Sequence, residues 1–529
     1  MNYGTVPQCC VVAVLSVLWS WPWTLVELGY VFILVIILCL FWLYHRYFYK
    51  NDTIFALSSG QGKCGVAVIR VSGPYSQEAL LQLTRLPKLP EPRHALLRSI
   101  KHPVSSETLD KGLVIWFPGP RCFTGEDSFE LHVHGGLAVV TGVLNALQSI
   151  PKLRLAEPGE FTRRAFYNKK LDLTEVEGLA DLLQAETELQ RKQAFLQSQG
   201  ALSKLYNRWK QSLTGCVAHI EAQIDFEETD TLELGLLEAV SKNVQKLIDE
   251  IEKHINDGRK GEMLRQGVRT IILGEPNVGK SSILNLLCQR PAAIVTPIEG
   301  TTRDILEITL NIGGYPLVIA DTAGLRTTTL DQIEKEGIRR ALELLDTSNL
   351  VLLVIDSEKY LKWSVTNVCK RFSDYVLEYL KQLDLQCLIK NENDRNDLFN
   401  KQCIVVLNKV DLLGSKIDID INNTVTLSCK TEKGISKLTN VLSNKLKTLC
   451  GEPTEEHPSL NQARHRQHLK DCVNYLKTCL QESSKGDACD LVIMAEYLRK
   501  SLRHLGKLVG HVSNEQLLDI IFNEFCIGK

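Results

Sequence analysis

Three things are scarce in this 529-residue chain, and each absence closes off a class of function. Charge of one sign is missing. Sixty-one Lys+Arg stand against 62 Asp+Glu, a formal net charge of −1, so no global basic field marks a nucleic-acid binder. Paired cysteine spacing is missing as well. Sixteen cysteines are scattered with no C-x-x-C and no His/Cys ligand spacing, which reads as reduced thiols in a cytosol-like compartment rather than disulfides or zinc ligands. The N-terminus also lacks the Arg-rich, Ser-rich amphipathic character of a mitochondrial presequence. What is present is length for several domains and 44% apolar content, enough for their cores.

Residues 1–50 differ from the rest. No charge falls in 9–26, and after Glu27 the 17 residues 28–44 are uncharged and mostly apolar, followed by Arg46 and Lys50. A membrane helix needs roughly 17 to 25 such residues with Lys/Arg on the retained side. The segment reads as a membrane anchor, giving the chain a membrane contact, or as a hairpin broken near Pro22. An atypical targeting region, or a gene-model artefact, fits the same pattern.

The most specific motif is Gly274-Glu275-Pro276-Asn277-Val278-Gly279-Lys280-Ser281, fed by the apolar run 268–273 and followed from Ser282 by a helical pattern. It fits G-x-x-x-x-G-K-S/T in the strand-to-helix context that motif needs. Its glycines let backbone N–H groups close around phosphate oxygens, Lys280 neutralises the β/γ charge, and the Ser281 hydroxyl can ligand Mg²⁺. The expected ligand is a nucleoside triphosphate.

Three further segments identify the base. Asp321-Thr322-Ala323-Gly324 follows the apolar run 317–320, where an aspartate holds Mg²⁺ through water and the Gly324 N–H senses the γ-phosphate. Asn408-Lys409-Val410-Asp411 follows 403–407. A carboxylate at Asp411 accepts from both N1–H and the amino group of guanine, a donor pair adenine lacks. Ser428-Cys429-Lys430, after 425–427, completes the pocket. All four in this order specify GTP. Between the first two lies Thr296-Pro297-Ile298-Glu299-Gly300-Thr301-Thr302, the expected first switch, with Thr302 as second Mg²⁺ ligand. Many small GTPases place a water-orienting glutamine just after the second-switch glycine, but here Leu325 stands there, so hydrolysis must recruit a polar group from elsewhere. Glu334 and Glu336 both reach back, or form a solvated helix face.

Strand patterns at 54–57, 65–71, 112–117 and 129–133, the last alternating cleanly, predict a mixed α/β domain over 51–168. Helical periodicity follows over 169–266. One run spans 174–199 behind a Thr174/Glu177 capping box, a second 205–224, and a third ends near Gly258. The G domain occupies 267–453, with a polar insertion over 355–402 expected to be surface loop. Helical pattern resumes over 454–529, with a Ser513/Gln516 capping box near its end. The basic cluster Arg464-His465-Arg466-Gln467-His468 reads as a solvated face or a minor tRNA contact. The expected fold is multidomain α/β plus α, with a Ras-like P-loop G domain inserted in a helical bundle.

Several motifs carry a resemblance. These are Val68-Ile69-Arg70-Val71-Ser72-Gly73, Phe123-Thr124-Gly125-Glu126-Asp127, the stretch Glu130-Leu131-His132-Val133-His134-Gly135-Gly136, Pro158-Gly159-Glu160-Phe161-Thr162, and the terminal Cys526-Ile527-Gly528-Lys529. With a G domain inside helices, the chain resembles the MnmE/TrmE tRNA-modification GTPases, and most closely their eukaryotic mitochondrial branch, over about 90% of its length. The resemblance implies a mitochondrial homodimer joined through the N-terminal, tetrahydrofolate-binding-like domain. It implies work with an MnmG-type partner that carries FAD, on the C5 position of a tRNA wobble uridine, with taurinomethyl as the mitochondrial product. The one-carbon unit would come from a 5,10-methylene or 5-formyl tetrahydrofolate at Arg70, Glu130, Lys170 and Lys529. Glu334 matches a water-positioning catalytic glutamate. Asn277, Thr296, Ile298 and Thr301 match a K⁺ site that stimulates hydrolysis, and Cys526 is a candidate nucleophile or merely a small helix-end residue. Two competing readings are a membrane-tethered G-protein scaffold and a ribosome-assembly GTPase. The latter predicts a basic C-terminal domain, where this chain carries no basic excess.

Overall fold

The computed structural model describes residues 52–225, 236–289, 307–320, 344–391, 398–412, 419–454, 458–460, 462–485, 489–510, 515–523 and 525–529. The hydrophobic segment 1–50 lies outside them. Among the described residues no helix is long and apolar enough to cross a membrane. The chain divides into two compact units. One is the N-terminal part to Lys170 together with Ile520–Lys529, the other Leu171–Asp519. The last ten residues therefore cluster with the N-terminal unit.

The N-terminal unit is built on β1 (Thr53–Leu57), β2 (Cys64–Ser72), β3 (Leu96–Lys101), β4 (Thr108–Phe117), β5 (Ser128–Gly135) and β6 (Leu153–Leu155), with α1 (Ser76–Thr84), α2 (Leu137–Gln148) and α3 (Glu160–Tyr167). The sheet order is β3-β4-β5-β2-β1-β6, antiparallel except where β1 and β6 run parallel. Period-two alternation along β5 sends Phe129, Leu131 and Val133 into one core, where Leu80 of α1 and Val143 of α2 cover them. The intervening Glu130 and His132 project from the opposite face. β3 and β6 escaped the sequence reading, because β3 carries Arg98, Ser99 and Lys101 on a sheet edge and β6 is only three residues long.

The second unit joins helices and a G domain. Its helices are α4 (Leu173–Gln184), α5 (Glu188–Ser198), α6 (Ala201–Asp225) and α7 (Leu236–Gln266). After them come β7 (Val268–Leu273), α8 (Lys280–Cys288), β8 (Glu307–Ile312), β9 (Tyr315–Ala320), β10 (Leu350–Asp356), α9 (Ser357–Thr366), α10 (Phe372–Gln382), β11 (Gln402–Asn408), β12 (Thr424–Thr426) and α11 (Ile435–Cys450). The helices α12 (Ala463–Ser483), α13 (Leu491–Val509) and α14 (Glu515–Asn523) close the chain. One core draws Trp209 and Leu213 of α6, Val244 and Ile251 of α7, Leu476 of α12 and Leu498 of α13, so helices from both sides of the G domain share it. The G-domain sheet runs β12-β11-β10-β7-β9-β8, parallel except for the β8–β9 hairpin. β10 is buried along its whole length, its residues alternating between the cores on the two faces.

Four readings are corrected here. The run 174–199 is two helices. The first is capped by Asp172, whose carboxylate accepts from the Glu175 N–H at 3.0 Å, and the second by Thr187 with Gln190. Thr174 is instead the second residue of the first helix, and buried. The third helix does not end near Gly258 but runs to Gln266. Gly258 and Gly261 are where Ser459 and Leu460 press against it, a Cβ at Gly261 falling 2.4 Å from the Leu460 carbonyl oxygen. The insertion 355–402 contains α9 and α10, whose Tyr360, Phe372 and Tyr379 are core; its most polar part, 392–397, lies outside the described residues. Finally, the Arg464–His468 cluster is not simply a solvated face. His465 is fully buried, 2.7 Å from Glu177, and Arg464 pairs with the same carboxylate at 2.9 Å.

Candidate functional site

Four parallel strands deliver their carboxyl ends to one edge of the G-domain sheet. β7 feeds the Gly274–Ser281 loop, β10 ends in Asp356, β11 in Asn408, and β12 leads into Ser428. The chain leaves β7 for β9 on one side and β10 on the other, the topological switch point where open α/β sheets bind ligands.

The loop's shape follows from its glycines. Gly274 (φ +149°) lies where a Cβ would sit 2.4 Å from the Val354 carbonyl oxygen, and Gly279 (φ +101°) where it would sit 2.2 Å from Asn408 Nδ2. Only glycine fits either place, and the turn that results leaves backbone N–H groups facing a shared concavity at the start of α8. Lys280 Nζ curls back to donate to the carbonyls of Gly274 (2.6 Å) and Glu275 (2.8 Å). Burial lowers its pKa. Ser281 and Ser282 are exposed at the first turn of α8, so the Ser281 hydroxyl is open to a metal.

The base loop is tied to this cradle. Asn408, 1% exposed, donates from Nδ2 to the Val278 carbonyl at 2.8 Å, while its Oδ1 accepts from the Cys429 N–H at 3.3 Å. One side chain thus joins the phosphate loop to both base-pocket segments. Lys409 (φ +63°) turns its ammonium to Asp356 at 2.7 Å. Asp411 is exposed. The Ser428 hydroxyl donates to its Oδ1 at 2.6 Å, and that bond holds the carboxyl below its ordinary range. The Ser428 oxygen in turn accepts from the Thr431 N–H at 3.2 Å, fixing the hydroxyl's direction. An exposed, ionised carboxylate with Lys430 nearby is a receptor for two adjacent N–H donors.

Sequence reasoning missed the supports of the phosphate loop. Tyr379 on α10, 2% exposed, accepts from the Glu275 N–H at 2.8 Å and donates to the Val354 carbonyl at 3.0 Å. The Glu275 carboxylate pairs with Lys359 of α9. The signal was present in the Phe372, Tyr375, Val376, Tyr379, Leu380 spacing, a helical stripe obscured by the polar residues after it. The remaining expected residues, Thr296, Pro297, Ile298, Glu299, Gly300, Thr301, Thr302, Asp321, Thr322, Ala323, Gly324 and Glu334, lie outside the described residues.

A second constellation sits in the N-terminal unit. Arg70 and Glu130 are register partners on β2 and β5, their side chains paired at 3.0 Å, with His132 3.3 Å from the same carboxylate. The Arg70 guanidinium also lies over the Phe123 ring, 5.3 Å from its centroid. Lys529 joins them, its pKa lowered first by burial and then by the Arg70 charge, against the pull of Glu130. The tail reaches this place because Gly528 (φ +98°) passes so close to β1 that a Cβ would fall 2.2 Å from the Leu57 carbonyl oxygen. The Ser58 hydroxyl donates to the Gly528 carbonyl at 2.9 Å. Cys526 is exposed on this tail. Lys170 is exposed too and makes no ion pair with the other three.

Comparison with known proteins follows this geometry. Residues 53–170 match the family model described as the GTP-binding protein TrmE N-terminus, and residues 173–526 match the MnmE helical domain. A Danio rerio protein named as the mitochondrial 5-taurinomethyluridine tRNA synthase subunit GTPB3 is 50% identical over 90% of this chain and 93% of its own. The Homo sapiens protein of the same name is 46% identical over 91% of this chain and 94% of its own. The tRNA modification GTPase MnmE of Parvibaculum lavamentivorans is 43% identical over 90% of this chain and all of its own length.

Proposed function

Since this chain belongs to the MnmE/TrmE family, and is thereby a GTPase acting in tRNA modification, we propose that it is the GTP-hydrolysing subunit of a mitochondrial complex that modifies C5 of the tRNA wobble uridine, with taurinomethyl as the product. The observation that carries the nucleotide half is the Asn408 link, which sets an outward carboxylate for guanine at a fixed distance from a glycine-built phosphate cradle. GTP lies with its phosphates against the N–H groups at the start of α8 and its base against Asp411. Lys280 exchanges its two carbonyl partners for phosphate oxygens. Its amine is already desolvated there, which strengthens the attraction. Ser281 and Thr302 hold Mg²⁺, which when bound neutralises charge between the phosphates. Glu334 positions the attacking water in place of the glutamine that Leu325 replaces. Asn277, whose exposed side chain stands at the lip of the cradle, joins Thr296, Ile298 and Thr301 around K⁺.

The N-terminal unit supplies the one-carbon donor. The Arg70–Glu130–Lys529 group pairs cations, suited to a folate's glutamate carboxylates, with a carboxylate suited to the pterin's amino and amide edge. The FAD cofactor resides on an MnmG-type partner, and the N-terminal unit joins two copies of the chain. Mass spectrometry of wobble nucleosides in mitochondrial tRNA from cells lacking the chain tests this reading. Loss of the C5 modification, restored by wild type and not by a Glu334→Ala variant, is expected; an unchanged nucleoside profile overturns it. Replacing K⁺ by Na⁺ in a GTPase assay is expected to slow turnover strongly, and equal rates remove the potassium assignment.

A further inference from the structure

The helical core carries a polar group that no step above uses. His468 and Asp471 lie one turn apart on α12, and His504 faces them from α13. One ligand atom from each side chain falls within 4.8 Å of the other two. The helices are held in this register independently, by Leu476, Leu498 and Leu505 in the shared core. The packing of the two helices thus brings the three side chains together.

Their hydrogen bonding is incomplete in a telling way. The Nδ1 atoms of His468 and His504 are both shut off from solvent, and both lack a hydrogen-bond partner. The Asp471 carboxylate approaches His504 Nδ1 only to 3.6 Å, short of a hydrogen bond. Gln467 Nε2 donates to the other carboxylate oxygen at 3.0 Å, orienting Asp471 and leaving Oδ2 turned to the histidines. Buried imidazole nitrogens normally have partners, and two orphans side by side with a carboxylate ask for a shared one.

We propose that His468, Asp471 and His504 form a binding site for one transition-metal ion of the Zn²⁺ class, clamping α12 to α13. Two imidazoles and one carboxylate suit Zn²⁺ and its first-row neighbours, and not the hard cation of the nucleotide site. Three protein ligands leave the fourth position of a tetrahedral shell open. Gln467 acts as the outer partner that fixes a ligating carboxylate. The charges facing the site are Arg464, Lys507 and Asp471. Arg464 is already paired with Glu177 at 2.9 Å, which leaves Lys507 as the cation opposing the metal. Tyr475, its ring centroid 5.7 Å from that of His504, walls one side.

The test uses the full chain, stripped of nucleotide and metal, titrated with Zn²⁺ by calorimetry and with Co²⁺ by visible absorption. One equivalent of Zn²⁺ and a Co²⁺ band characteristic of low coordination number are expected. In His468→Gln, His504→Gln and Asp471→Asn, each near in size to the native residue, affinity should fall by at least roughly tenfold and the band should vanish. GTP hydrolysis in Zn²⁺-free buffer with Mg²⁺ and K⁺ supplied should match wild type in all three, which checks that the variants are folded. Binding and spectrum that persist in the variants place the metal elsewhere, on thiols, and overturn the proposal. Absence of an equivalent in wild type beyond the level of the His468→Gln/His504→Gln double variant does the same.

Discussion

Truncating Asn408 to alanine separates the two halves of the nucleotide site without touching a phosphate or base contact directly. The side chain makes two hydrogen bonds in a place 1% exposed, to the Val278 carbonyl and from the Cys429 N–H. Alanine leaves both backbone groups without a partner. A buried orphan costs about 1–3 kcal/mol, and the longer, partly exposed Cys429 bond belongs at the lower end, so the G domain should lose about 2–4 kcal/mol. Binding suffers as well, because GTP must then order two loops that the brace held in register. If about 1.4–2.7 kcal/mol of the loss appears there, the dissociation constant rises about 10- to 100-fold. Dissociation of a fluorescent GTP analogue by stopped flow, beside thermal melting of the same variant, reads both quantities. A lower melting temperature with unchanged nucleotide dissociation would show that Asn408 is a core residue only and refute the brace.

Three other expectations are open to simpler measurements. Glu334→Ala should abolish turnover and leave GTP affinity nearly intact; joint loss of both would assign the glutamate a structural role. Acidification should weaken the helical core through His254, which burial and the His465 charge hold at a pKa of about 4 against 6.5 when unfolded. The unfolded state then binds the extra proton, so stability present above pH 6.5 is lost as pH falls toward 4, by about 2 kcal/mol at pH 5. His254→Gln should remove that part of the slope in urea midpoints between pH 7 and 5, and identical slopes count against it. Gly528→Ala forces a Cβ onto the Leu57 carbonyl at a positive φ. It should weaken binding of 5-formyltetrahydrofolate and spare basal GTP hydrolysis, and unchanged folate affinity would detach Lys529 from that site.

The nucleotide site was legible because its chemistry is local. Gly274 to Ser281 is a single loop, and Asn408 to Asp411 another, each announced by an apolar strand that the structure places at 268–273 and 402–408. What the sequence hid is non-local. Glu177 read as a capping residue because Thr174 precedes it at the right spacing, while its true partners are 287 and 288 residues away in Arg464 and His465. Gly258 read as a helix stop because glycine usually ends helices, yet here it admits Leu460. His468 and His504 stand 36 positions apart, and only the packing of two helices makes them neighbours.

The measurement closest to the central claim is calorimetric titration of the chain with GTP, ATP and xanthosine triphosphate, on wild type and on Asp411→Asn. Wild type should bind GTP at least about a thousandfold more tightly than ATP, since adenine leaves the Asp411 carboxylate without its two donors. The variant should weaken for GTP and gain xanthosine triphosphate. ATP bound as tightly as GTP, or a variant that keeps its guanine preference, would contradict the account.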